Sequence, residues 1–62
     1  MWKVVYIAHS KTIAEKLEQQ LARAGVLVKI RPLGNAAISL QFEVLVPESE
    51  IEEAQEVLNA LV

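Results

Sequence analysis

The sequence is expected to fold as a small α+β domain with its elements in the order β-α-β-β-α, and three observations lead there. Residues 2–8 are a run of Trp, Val, Tyr, Ile and Ala with one lysine, the composition of a strand. Residues 38–46 alternate cleanly between apolar and polar side chains, which marks a second kind of strand, buried on one side only. Between and after them lie two segments whose apolar residues recur at helical spacing, each opened by a serine. At 62 residues the chain is long enough for one domain, spanning residues 1–62, and no more.

Taken in order, the first strand is apolar on both of its alternating faces: Trp2, Val4, Tyr6 and Ala8 on one, Val5 and Ile7 on the other. Alternation therefore leaves open which face meets the helices. Residues 10–24 form the first helix, with Ser10 as N-cap, although Thr12 with Glu15 also fits a capping box, and with Ile13, Leu17, Leu21 and Ala24 as its apolar stripe. Gly25 ends it, because glycine takes the left-handed conformation there without steric cost. The second strand runs over 26–33, with Val26, Val28 and Ile30 on one face and Lys29 and Arg31 on the other. Pro32 has no N–H to donate, so this strand belongs at a sheet edge. Gly34-Asn35 supplies a tight turn. In the third strand Ile38, Leu40, Phe42, Val44 and Val46 face the core, with Ser39, Gln41 and Glu43 opposite. Pro47 stops it, and Ser49 with Glu52 forms a capping box for the last helix, whose stripe is Ile51, Ala54, Leu58 and Leu61.

Two strands joined through a helix are parallel with a right-handed crossover. A third strand following a tight turn is antiparallel to the second and fits between the first two. The expected sheet order is 1-3-2, with both helices on one face: a split β-α-β, the ferredoxin-like pattern without its last strand. That arrangement leaves the apolar first strand as an open edge, and open apolar edges invite pairing. A homodimer is expected, with Trp2, Val5, Tyr6 and Ile7 as interface residues.

Composition supports the need for a partner. A chain of this size buries only about 60% of its unfolded surface, and such cores rarely supply more than roughly 3–5 kcal/mol without a staple. There is no cysteine and only one histidine, so neither disulfides nor a thiolate or imidazole-rich metal site is available. No stretch is apolar for the roughly 20 residues of a membrane span, and the N-terminal residues lack a signal-peptide pattern, so a cytoplasmic location is expected. The first half carries all six basic residues against Glu15 and Glu18; the second carries the other six glutamates and no base. A chain so divided attracts itself more readily than a polyanion, and nucleic acid is not an expected partner.

Candidate binding residues are Arg31, Lys29, His9 and Lys11. Lys29 and Arg31 share a strand face and can clamp an anion. His9 and Lys11 flank the start of the first helix, where backbone N–H groups favour negative charge. Sheets of this kind bind RNA through outward aromatics on central strands, whereas here the outward residues are Ser39, Gln41 and Glu43. An enzyme using His9 and Ser10 is the rival reading, but adjacent residues do not easily present a hydroxyl to the same ring, and aspartate is absent to orient it. The acidic run Glu48, Glu50, Glu52, Glu53 reads as a helix N-terminus rather than a cation site. The expected function is a non-enzymatic binding or interaction module, perceiving a small anionic metabolite or adding its strand edge to another protein's sheet, with no metal and no cofactor.

The string Val4-Val5-Tyr6-Ile7-Ala8, the serine-capped helix, Gly25-Val26-Leu27-Val28, Arg31-Pro32-Leu33-Gly34 and Val46-Pro47-Glu48-Ser49-Glu50 resembles a family of short bacterial signal-transducing proteins related in fold to the PII nitrogen-regulatory proteins. The resemblance implies a ferredoxin-like fold and a role in signalling, and carries over no catalytic residue. The long target-contacting loop of PII proteins corresponds here to a connection of about Gly34-Asn35-Ala36. Short chains of this pattern also sometimes carry an inherited glutamate decarboxylase name. Pyridoxal phosphate chemistry needs a Schiff-base lysine, a phosphate cup and a partner for the pyridinium nitrogen, for which this chain has neither the size nor the aspartate.

Overall fold

The computed structural model describes residues 1–35 and 40–61. Its elements are β1 (Trp2–Ala8), α1 (Lys11–Arg23), β2 (Lys29–Pro32), β3 (Phe42–Pro47), a 3-10 turn (Glu48–Glu50) and α2 (Ile51–Leu61). The sheet order is β1-β3-β2, with β3 antiparallel to both neighbours. Both helices cover one face, giving the split ferredoxin-like β-α-β-β-α architecture. No helix among the described residues is long and apolar enough to cross a membrane.

The first helix forms for local reasons. Ser10 sits in extended backbone and its Oγ accepts the N–H of Ile13 at 3.1 Å. At the other end Gly25 (φ +83°) donates to the Ala22 carbonyl and Val26 to that of Leu21, each at 3.0 Å. This is a Schellman closure, and it explains why β2 begins at Lys29 rather than 26: Val26 is consumed in the helix cap and buried there. The buried stripe is Ala14, Leu17 and Leu21, so the expected Ile13 and Ala24 lie outside it, both exposed.

The third strand is also shorter than its alternation suggested. β1 and β2 both reach only as far as Phe42, through Ala8 and Pro32. Residues 40 and 41 lie beyond both paired stretches; Leu33 N–H donates to the Gln41 carbonyl, and Leu40 is 80% exposed instead of facing the core. The expectations for Ile38 and Ser39 fall outside the described residues. β2 ends at Pro32 and β3 begins at Phe42; of the expected turn, Gly34 takes the positive φ (+72°) a turn requires, and Ala36 lies outside the described residues. The Ser49–Glu52 capping box does not form. Pro47 leads directly into the 3-10 turn, so Ser49 lies inside that turn and not in the extended backbone a cap residue needs.

The core is Leu17, Leu21, Val26, Val44, Val46, Ala54 and Leu58, with Val5, Tyr6, Val28, Ile30, Ile51 and Val57 packed around it. Burying each large aliphatic side chain contributes about 1.5–3 kcal/mol, which makes this cluster the main stabilising element.

The ambiguity in β1 is resolved by a bulge. Val4 pairs with Leu45 and Tyr6 with Val44, leaving Val5 as an extra residue between them. Cross-strand partners share a face, and Val44 and Val46 point to the helices. Val5, Tyr6 and Ala8 are therefore turned inward, while Trp2, Val4 and Ile7 are turned outward. A bulge puts two successive residues on the same side and reverses the alternation beyond it.

Candidate interaction surface

The sheet face away from the helices is built in three rows by the register. Trp2 stands beside Pro47; Val4, Leu45 and Lys29 make the second row; Ile7, Glu43 and Arg31 make the third. Charges here are engaged within the chain. Arg31 Nε donates to Glu43 Oε1 at 2.7 Å, and the Glu43 side chain is only 15% exposed. Lys29 Nζ lies 5.7 Å from the centroid of the Trp2 ring. Trp2 and Lys29 belong to the two outer strands, so their contact must pass over β3. That accounts for Leu45, which is 4% exposed on a face no helix covers. The pairing is worth about 0.5–1 kcal/mol at such an exposed site, before the apolar cover it gives Leu45 is counted.

The expected binding residues are not gathered into one site. Lys29 and Arg31 do share the outer face, two residues apart, but each already has a partner. His9 is exposed at the end of β1, with Nδ1 3.3 Å from Gln41 Nε2. Lys11 opens α1 on the opposite side of the sheet, in a shallow cleft with Glu15, Glu18, Ile30, Pro32 and Phe42. Ser10 is occupied as a cap, its hydroxyl oxygen accepting from Ile13 N–H. Among the described residues no three His, Asp or Glu side chains come together as a cation site. Of the expected interface residues, Trp2 and Ile7 face outward, whereas Val5 and Tyr6 pack against the core.

What remains unpartnered is the long edge of β1. Among the described residues it is hydrogen-bonded on one side only, to β3, and it is flanked outward by Trp2 and Val4, each 43% exposed, and by Ile7. The outward position of Val4 is not readable from sequence, because a one-residue bulge is invisible in a strand that is apolar throughout. Sequence reading missed Leu45; the unbroken run Val44-Leu45-Val46 was the signal that both faces of β3 are covered. No family model matches the chain, and neither a curated protein nor a solved structure is significantly similar to it.

Proposed function

We propose that the chain is a small non-enzymatic interaction module that works as a homodimer, joined by antiparallel pairing of β1 with its copy. The observation that carries this reading is the β1 edge: seven residues, no proline, one charge, and apolar side chains exposed beside it. Main-chain hydrogen bonds along such an edge give affinity, and the flanking side chains give register. Self-pairing suits the charges. Lys3 is the one charge of β1 and lies near its N-terminal end, so an antiparallel pairing centred farther along the strand keeps the two lysines apart. It also supplies the staple a core of this size needs. A signalling role belongs to this reading and rests on the resemblance to signal-transducing proteins alone. Anion sensing through Lys29 and Arg31 is less favoured, because a ligand must displace Glu43 and the Trp2 ring.

Native mass spectrometry and sedimentation at micromolar concentration test the proposal. The wild type is expected as a dimer. The double variant Val4→Lys, Ile7→Lys is expected as a folded monomer, since lysine on an edge is how sheets resist pairing. A wild-type monomer, or a double variant that dimerises equally well, refutes it.

A further inference from the structure

On the helix side of β1 lies an open groove of about 460 Å³. It falls in the range of roughly 300–1,000 Å³ typical of small-molecule sites. Its apolar surface comes from Leu17 and from Ile13 and Leu61, both exposed at the helix ends where α1 and α2 meet. Its polar groups are Lys16, the amides of Gln19 and Gln20, and Tyr6. The ammonium, the amide N–H groups and the phenol can all donate, and among the described residues none of the chain's eight glutamates lines the groove. The cleft around Lys11 is the opposite case, with Glu15 and Glu18 beside the lysine.

Lys16 is also uncommitted. Lys3 has Glu48 within 4.0 Å, Arg31 has Glu43 and Lys29 has the Trp2 ring, whereas Lys16 has no ion pair or hydrogen bond among the described residues. An unpaired cation above exposed aliphatic side chains, with amide donors alongside, complements one chemistry: a negative head on an apolar body. We infer that this groove binds a small carboxylate with a medium-chain or aryl tail, the head on Lys16 and Gln20 and the tail along Ile13, Leu17 and Leu61. An amine would meet Lys16 with like charge, and a neutral alcohol would leave it unpaired. The inference goes beyond the strand-edge reading and stands apart from it, since the groove is complete within one copy.

The test is an amide NMR titration with hexanoate, hexylamine and hexanol in parallel. Hexanoate is expected to give saturable shifts confined to Tyr6, residues 13–20 and Leu61, with roughly millimolar affinity for so small a ligand in an open site. Lys16→Gln should weaken binding roughly tenfold through loss of a charged hydrogen bond, and Lys16→Arg should restore it. Equal shifts from hexylamine or hexanol, no saturation, or an unaffected Lys16→Gln variant would overturn the inference. Repeating the titration on the Val4→Lys, Ile7→Lys variant separates the two proposals: binding retained there shows the groove works without the dimer, whatever the oligomeric state proves to be.

Discussion

The two edges of this sheet are built to opposite ends. β2 is four residues long, Lys29-Ile30-Arg31-Pro32, and every second residue is a cation. Its proline removes a donor, and its charges are folded back onto Glu43 and Trp2. Shortness, charge and proline are the means by which sheets blunt an edge. β1 has nearly twice the length, one lysine and no proline, and only its bulge departs from a regular pairing template. Both strands meet the same central β3, so the difference does not come from the sheet. It lies in which edge the side chains close.

The largest effect that can break this comparison concerns the bulge, because it decides which β1 residues are available outside. Val5→Glu should destabilise the fold by about 2–4 kcal/mol in urea unfolding, the cost of forcing a charge toward the core. Val4→Glu should stay within about 0.5 kcal/mol, as expected of an outward position. Equal losses at the two positions would mean that Val4 also faces inward and that the β1 edge lacks the apolar flank assigned to it. The next effect reverses the guarded edge. Lys29→Thr, Arg31→Thr and Pro32→Thr together supply the missing donor and remove the charges, and light scattering should then show association beyond the dimer. A triple variant that stays at wild-type size would show that length alone protects β2. The smallest effect is the Arg31–Glu43 pair itself. A double-mutant cycle with Arg31→Ala and Glu43→Ala should return a coupling of about 0.2–1 kcal/mol, typical of a cross-strand ion pair with one partner largely in water. Its further loss at high salt would mark the contribution as electrostatic.

The readable parts of the fold were those with local causes. Ser10 and Gly25 mark the ends of α1 by backbone chemistry that operates within a few residues, and Pro32 places β2 at an edge by what it lacks. Sheet order followed from connection lengths. The bulge at Val5 was not readable, since alternation carries no phase in a strand apolar on both faces. Strand ends were not readable either: Leu40 continues the pattern of β3, but no neighbouring strand extends far enough to pair with it. The burial of Leu45 depends on Trp2 and Lys29 meeting across an intervening strand. The groove at Lys16 depends on the ends of two helices that are distant in sequence. Each is a property of assembly.

The contact between Lys29 and Trp2 has a use beyond stability. Trp2 is the only tryptophan of the chain, so tryptophan emission excited beyond the absorption of Tyr6 reports on one place, the outer flank of the β1 edge. A strand docking there would dry the indole and shift its emission to the blue, while a ligand on the helix side would leave the spectrum where it was. The indole thus labels the strand edge alone, while the groove holds the chain's single tyrosine, Tyr6.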